Sequence, residues 1–267
     1  MNYSIKDFRQ QFPDERACLE YVFHKKYPNL KGYYFVQGRK CYANSKGKQI
    51  HPIKGTIFEH SSTPLTLWFY AIYLFSASRN GVAAKELQRQ LGVTYKTAWR
   101  MAKQIRSLMT NGDMLSGTVE VDETYMGGYR KGGYGGKGKT PVFGMVERGG
   151  KVKAKPLLRE THLILNEIKK SIKPGSKIMS DKFGVYTKTK KLGYKHEAVN
   201  HWRKEFVRGD AHTNSIEGFW SQIKRSISGT HHYVSPKHLG SYVNEFVFRY
   251  NRRTSPSPIF SAMVERI

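Results

Sequence analysis

The second half of the chain alternates short β-prone runs with amphipathic helical segments, which predicts an α/β domain. The expected strands lie near 118–126, 140–147, 151–158, 176–181 and 194–199. The expected helices lie near 161–172, 183–191, 213–227 and 236–251. Three early strands, a helix, a further strand and a late helix follow the order of an RNase-H-like domain, with a mixed five-stranded sheet and helices.

Three acidic residues occupy defined positions in that order. Asp122 lies in the first β-prone run, V-E-V-D-E-T-Y, Asp181 ends the run K-I-M-S-D, and Glu217 opens the helical segment N-S-I-E-G-F-W. In an RNase-H-like domain the first acid lies on the central strand, and the helix packs beside the second. Such carboxylates can hold two Mg²⁺ (or Mn²⁺) ions, which about 3.5–4 Å apart activate the attacking oxygen and stabilise the leaving one.

The identity of the third metal ligand stays open. Asn214 lies one helical turn before Glu217 and can also offer an oxygen to a metal. Charge favours Glu217, because an amide brings no negative charge to two divalent ions. Lys224, on the same helix, is expected to hold phosphate near the site. Each acid also has an ordinary interpretation, as a solvated strand residue, a turn or cap, or a surface helix residue.

The charge of the chain indicates a nucleic-acid partner. Its 267 residues include 46 Lys and Arg against 20 Asp and Glu, for a net charge of +26. These basic residues run from Lys6 to Arg266, which is typical of a surface that follows a polyanion. A generally basic protein, such as a ribosomal one, is the alternative. The chain has no run of 18 apolar residues and no signal-peptide core, so no membrane partner is expected.

Three domains are predicted along the chain, joined by a short linker near 111–117. Residues 1–62 combine a helix that starts at Pro13 and Asp14 with glycine-punctuated aromatic runs, which predict a small β-ribbon. Residues 63–112 are expected to be helical, and residues 118–267 form the RNase-H-like catalytic domain.

Within the helical region, two segments have the form of a helix-turn-helix. The first helix covers about 83–91 and ends at Gly92, and Thr94 can cap a second helix over about 95–110. An ordinary helical hairpin is the alternative. The residues of the second helix expected to face DNA are Tyr95, Lys96, Thr97, Arg100 and Lys103.

Further basic residues are expected to contact DNA outside that helix. The glycine-rich segment 127–139 is interpreted as a flexible basic flap, with an idle surface hairpin as the alternative. His212 could orient the scissile phosphate, or it could simply begin the helix of Glu217. The residues expected to contact DNA here are Arg130, Lys131, His212, Arg225, Arg249, Arg252 and Arg253.

Several motifs resemble the ISXO-like insertion-sequence transposases, bacterial relatives of the eukaryotic Merlin elements. The resemblance rests on V-D-E-T-Y-M-G-G, S-D-K-F-G-V-Y and a long block from H-T-N-S-I-E-G-F-W to F-R-Y-N-R-R, and it covers roughly residues 33–253. It implies a Mg²⁺-dependent DDE-class transposase. In that family the third ligand is Glu in some branches and Asn in others, which map onto Glu217 and Asn214, and the following basic residue maps onto Lys224.

The resemblance also implies partners and a location. Such an enzyme binds the terminal inverted repeats of its element, cleaves the phosphodiester at the ends and joins the 3′-OH to target DNA. The expected partner is therefore double-stranded DNA, bound by a homodimer or a higher oligomer in the bacterial cytoplasm at the nucleoid. A non-transposing nuclease and a domesticated DNA-binding protein are the alternatives, and the complete set of candidate ligands argues against the second.

The first domain departs from the family pattern. Relatives usually carry a zinc ribbon with two cysteine pairs before K-G-T-I-F-E, whereas this stretch has only Cys41. A four-thiolate site cannot form, so no zinc is expected and the ribbon is called degenerate. Cys18 and Cys41 are expected to be free thiols.

Overall fold

A computed structural model describes residues 3–127, 138–157, 160–181, 184–199, 207, 209–210, 212–254 and 259–267. The chain divides into two compact units, one made of Met1–Leu108 with Ser255–Ile267 and the other of Met109–Thr254. Residues 1–108 of the first two predicted domains fall in one unit, whereas residues 109–112 of the second belong to the other. Among the described residues, no helix is long and apolar enough to cross a membrane.

The secondary structure follows the chain in this order. The α-helices are α1 Ile5–Gln11, α2 Glu15–Lys26, α3 Leu65–Ala77, α4 Ala84–Leu91, α5 Tyr95–Ser107, α6 Thr161–Ser171, α7 Asn214–Ser226, α8 Pro236–Tyr250 and α9 Ile259–Val264. The strands are β1 Tyr33–Phe35, β2 Tyr42–Asn44, β3 Gln49–Ile50, β4 Thr118–Met126, β5 Thr140–Glu147, β6 Val152–Pro156, β7 Lys177–Asp181 and β8 Lys195–Val199. A 3₁₀ helix covers Tyr186–Leu192, and a π-helical turn covers Ile227–His231.

The first unit is held by aromatic packing. Tyr3 stacks on Phe260 with ring centroids 4.5 Å apart, and Phe8 and Phe12 also contact that ring. Phe260 belongs to α9 and is 1% exposed, so burial of this side chain places the last helix with the first unit instead of the predicted catalytic domain. The short helix α1 was not predicted, although Ser4 and Asp7 form a capping box at its start.

Strands β1, β2 and β3 form a small antiparallel sheet in the predicted ribbon region. Helices α4 and α5 lie close to the predicted bounds of the helix-turn-helix. Gly92 ends α4 with a φ of 64°, and the Thr94 side chain accepts a hydrogen bond from the amide of Thr97 at the start of α5. The zinc-ribbon ancestry and the DNA-reading role of these parts stay predictions.

The second unit contains a five-stranded mixed sheet in the order β6-β5-β4-β7-β8. The pairs β4–β5 and β5–β6 are antiparallel, whereas β4–β7 and β7–β8 are parallel. Apolar residues of α7 and α8 pack on one face of the sheet, and those of α6 and the 3₁₀ helix pack on the other. This arrangement confirms the predicted α/β domain and is compatible with an RNase-H-like fold.

Two local predictions differ from the structure. Within the segment 183–191, expected to be an α-helix, the structure has a 3₁₀ helix over Tyr186–Leu192, and the amide of Lys188 donates to the carbonyl oxygen of Val185 three residues earlier. The expected linker 111–117 is partly built into the second unit. Leu115 is fully buried there and forms a parallel bridge with Ile172.

Gly144 provides the space in which α7 approaches the sheet. It lies on β5, directly opposite Asp122 of β4. A Cβ atom at this position would lie 2.5 Å from two ring atoms of Trp220 and 3.0 Å from Cδ1 of Ile216, both residues of α7. The absence of a side chain therefore lets the indole of Trp220 lie against the strand beside Asp122.

We expect Gly144→Ala to lower the free energy of unfolding by about 1–3 kcal/mol, because the new methyl group overlaps the buried indole. Chemical denaturation of the full chain measures this change. Gly240→Ala on α8 is the matched control, since its Cβ would lie 3.8 Å from Pro156. A glycine replaced inside a helix should raise the stability by about 0.5–1 kcal/mol. Equal denaturation midpoints for Gly144→Ala and Gly240→Ala would contradict the expected overlap between the new methyl group and Trp220.

Candidate active site

Asp122 and Asp181 lie on neighbouring parallel strands at the centre of the sheet. Asp181 is the last residue of β7. The last pair in the register joins Glu120 of β4 with Met179 of β7, and each aspartate follows one of these residues by two positions. Side chains two residues apart on a strand share a face, so Asp122 lies on the same face of β4 as Glu120. The structure thus brings two of the predicted metal ligands together.

The environment of Asp122 raises the pKa of its carboxyl group to about 7. Burial is the largest cause, followed by the negative charges of Asp181 and Glu123. A hydrogen bond from Trp220 Nε1 to Asp122 Oδ2, 3.0 Å long, opposes the shift by favouring the carboxylate. Two carboxylates that repel each other in a poorly solvated place fit a divalent cation, because the cation would relieve the repulsion.

Glu217 lies in the first turn of α7, three residues before Trp220. The Thr213 hydroxyl donates a 2.7 Å hydrogen bond to Glu217 Oε1. Residues three apart share a helix face, so Glu217 lies on the side of α7 from which Trp220 reaches Asp122. Across the part of the chain that the structure describes, however, no three His, Cys, Asp or Glu residues are close enough together to hold a metal ion. Glu217 therefore lies outside the aspartate pair.

The other predicted site residues of α7 are on its surface. Asn214, Lys224 and Arg225 are all exposed. Lys224 follows Trp220 by four residues, on the helix side that also carries Glu217. The choice between Glu217 and Asn214 as third ligand stays a prediction.

A buried glutamate that sequence reasoning did not assign to the site anchors the start of α7. Glu120 is fully buried, and Arg148 Nε donates to its Oε1 at 2.8 Å. The backbone amides of Ser215 and Ile216 donate to its Oε2 at 2.7 and 3.1 Å, and the Ser215 hydroxyl donates to Oε1 at 3.0 Å. The available signal was the strand alternation that places Glu120 on the face of Asp122.

His212 belongs to the same anchor. Its Nδ1 lies 3.2 Å from Glu120 Oε1, and its carbonyl oxygen accepts a 3.0 Å hydrogen bond from Arg148 Nη2. This contact is an ion pair only when the imidazole is protonated, and Nδ1 makes no hydrogen bond with the residues that the structure describes. The predicted role of His212 in orienting a phosphate stays a prediction.

The residues of α5 predicted to face DNA divide into two groups. Three of them are exposed: Tyr95, Lys96 and Lys103. Thr97 and Arg100 are half-buried, and Arg100 Nη2 donates to the carbonyl oxygen of Glu59 at 2.9 Å. The exposed group is the better candidate surface, because its side chains are open to solvent. The ammonium groups of Lys85 and Lys103 lie over the rings of Tyr95 and Trp99, at 4.9 and 5.7 Å.

The basic residues at the end of α8 also differ from one another. Arg249 is 9% exposed and forms a 2.7 Å ion pair with the fully buried Glu245. The side chain of Arg249 thus neutralises a carboxylate in the core, and its expected contact with DNA stays a prediction. Arg252 and Arg253 lie over the rings of Phe248 and Tyr250, at 3.6 and 3.8 Å from the centroids. Arg130 and Lys131 of the predicted flap lie outside the described residues.

Comparison with known proteins identifies the family. Residues 114–251 match the ISXO2-like transposase domain, and the chain belongs to this family of transposases. An uncharacterized protein in transposable element ISH50 of Halobacterium salinarum is 29% identical over 220 residues, which cover 73% of this chain and 72% of that protein. These matches confirm the resemblance read from the sequence motifs.

Among solved structures, the chain is weakly similar to the cryo-EM structure of the simian T-cell lymphotropic virus intasome in complex with PP2A regulatory subunit B56 gamma. A chain of that assembly aligns with a TM-score of 0.36 and 12% identity, over 73% of this chain and 74% of that one. A likeness this weak carries no argument about fold or function.

The raised pKa of Asp122 predicts how stability depends on pH. An acid whose pKa rises on folding stabilises the fold most below its ordinary pKa of about 4, and this contribution is lost as the pH rises to about 7. Asp122→Asn cannot ionise and can still accept from Trp220. Without divalent cations, we expect this variant to melt several degrees higher than wild type at pH 8 and about equally at pH 4.

Thermal unfolding in a chelator at both pH values measures the effect. Asp113→Asn is the matched control, because a hydrogen bond from Lys151 holds the pKa of Asp113 below its usual range, so removing that charge should not stabilise the fold at pH 8. If the melting temperature of Asp122→Asn exceeds that of wild type by the same amount at both pH values, the raised pKa assigned to Asp122 is contradicted.

Proposed function

We propose that this chain is a metal-dependent transposase that cleaves DNA at the ends of its element and joins the freed 3′-OH to target DNA. The observation that carries the proposal is the coupled pair of Asp122 and Asp181 at the centre of the sheet, within the segment that matches the ISXO2-like transposase domain. The net charge of +26 supports DNA as the substrate.

Asp122 and Asp181 would hold the divalent ions, with Glu217 or Asn214 as the third ligand. When bound, Mg²⁺ or Mn²⁺ ions would activate the attacking oxygen and stabilise the leaving oxygen of the phosphodiester. The protein contributes rigidity, because both aspartates are on paired strands and the indole of Trp220 holds the Asp122 carboxylate at 3.0 Å. Lys224, exposed on the same side of α7, would pair with a DNA phosphate.

The first unit would bind the terminal inverted repeats of the element. The exposed Tyr95, Lys96 and Lys103 of α5 support this role, because two ammonium groups and an aromatic ring lie on one open surface. Joining two ends to a target requires both ends in one complex, which favours a homodimer or a higher oligomer on DNA.

Different mutations should impair DNA binding and DNA cleavage independently. Asp122→Asn should lower cleavage of an end-containing duplex below about 1% of wild type, because several kcal/mol of transition-state stabilisation is lost. Its affinity for the same duplex should stay within about twofold, since the aspartate lies outside α5. Lys96→Ala with Lys103→Ala should show the reverse, with weaker binding and a salt slope reduced by about 1 for each lost phosphate contact.

Lys169→Ala with Lys170→Ala is the control for charge alone, because these exposed lysines lie on α6 and have no predicted DNA contact. Gel shifts at several salt concentrations and a cleavage assay on each variant decide the outcome. Wild-type cleavage by Asp122→Asn would refute the active site. Cleavage without joining of a pre-cut end would identify a nuclease instead of a transposase.

The third ligand is decided by a second pair of variants. If Glu217 holds metal, Glu217→Gln should abolish Mg²⁺-dependent cleavage, whereas Asn214→Ala should keep measurable activity. The reason is charge, since two divalent ions need more negative charge than two aspartates supply. A Mg²⁺ titration of cleavage by both variants tests this ranking. The opposite ranking would assign the ligand to Asn214.

A further inference from the structure

We propose that Glu120 is a positioning residue, which sets where α7 presents its metal ligand to the aspartate pair. This inference rests on the proposed function, because it assigns a part of the same site. Glu120 would not touch metal or DNA. It would act through α7, and its loss should change how the site binds cations in a way that lost stability alone does not.

The contacts of Glu120 join two elements that are far apart in sequence. Its carboxylate, on β4, accepts from the amides of Ser215 and Ile216, in the first turn of α7. Both oxygens are used, since Oε1 also accepts from Arg148 and from the Ser215 hydroxyl. The positive charge of Arg148 and the free amides at the helix start compensate the buried charge.

A second contact between the same two elements lies one turn further along α7. There Trp220 donates to Asp122, which is two residues after Glu120 on the same face of β4. Glu120 and Asp122, two residues apart on one face of β4, therefore bind two successive turns of α7. Glu217 lies between these two attachment points, one residue after Ile216 and three before Trp220.

This spacing explains why the anchor matters for the site. Without Glu120, α7 would keep its apolar packing and the contact of Trp220, but the amides of its first turn, which have no partner within the helix, would lose their acceptor. Glu217 and Asn214 are both in that turn, so either candidate ligand would lose its position relative to Asp122. Residues that orient metal ligands typically change metal affinity by about 10- to 100-fold when replaced.

The test uses binding of Mn²⁺ to the full chain, without DNA, measured by calorimetry. Glu120→Gln keeps the size of the side chain but removes its charge and places an amide against hydrogen-bond donors. We expect about tenfold weaker Mn²⁺ binding and a matching increase in the Mn²⁺ concentration for half-maximal cleavage. Glu120→Asp keeps the charge but shortens the side chain, and it should show a smaller loss of affinity.

A double variant separates positioning from general damage. If Glu120 acts through Glu217, then Glu120→Gln added to Glu217→Gln should weaken Mn²⁺ binding no further than Glu217→Gln alone. If the third ligand is Asn214, Asn214→Ala takes the place of Glu217→Gln in this comparison.

Glu245→Gln is the matched control for stability. Glu245 is a second fully buried glutamate with an arginine partner, but that pair lies within α8 and does not attach a helix to the aspartate strand. This variant should lower the melting temperature and leave Mn²⁺ affinity within about twofold of wild type.

Wild-type Mn²⁺ affinity in folded Glu120→Gln would overturn the inference, and so would an additive loss in the double variant. If Glu120→Gln does not fold, Glu120→Asp decides in the same assays. Failure of the proposed function looks different, because wild type would then bind no Mn²⁺ or Asp122→Asn would still cleave DNA. A dead Asp122→Asn beside an unaffected Glu120→Gln would leave the proposed function standing and remove only the positioning role.

Discussion

The attachment of α7 to the central strand is the contact on which the rest of the site depends. The carboxylate of Glu120 accepts hydrogen bonds from backbone amides at the start of α7, and the carboxylate of Asp122 accepts one from the indole N–H of Trp220 one turn later. Gly144 on the adjacent strand makes the second contact possible, because any side chain there would overlap Trp220. A helix at the surface thereby obtains a defined position relative to a half-buried pair of acids.

Asp122 and Asp181 repel each other in this arrangement, and a bound cation would relieve the repulsion. Asp122 is poorly solvated and lies near two other carboxylates, so the pKa of its carboxyl group rises to about 7. Such crowding is unfavourable for an unliganded fold, and the structure offsets only part of it with the hydrogen bond from Trp220. Strain of this kind is common where a site is built for an ion or a reaction instead of for stability. It agrees with the membership of the chain in a transposase family.

Local sequence patterns predicted most of the second unit. The five strands fall within about two residues of their expected bounds, because alternating or continuous apolar runs between turn residues have few other solutions. The central place of Asp122 and the terminal place of Asp181 were likewise predicted. The pattern missed the packing of Leu115, since its bridge to Ile172 joins distant parts of the chain, and it also missed the 3₁₀ character of Tyr186–Leu192. Nor can it show that Glu245 neutralises Arg249 in the core, whereas the expected contact of Arg249 with DNA stays a prediction.

The sequence by itself determined the class of domain, the two aspartate positions, the strong positive charge and the family. These features depend on periodicity, composition and motifs, which are local properties of the chain. Only the tertiary structure decided which buried acid anchors α7 and which arginines are available to a partner. Glu120 and Asp122 are both acidic and lie on the same face of β4. Glu120 accepts hydrogen bonds from amides of α7, whereas Asp122 lies near Asp181. The difference arises because the start of α7 lies against Glu120, and the place where a helix contacts a strand cannot be predicted from local sequence patterns.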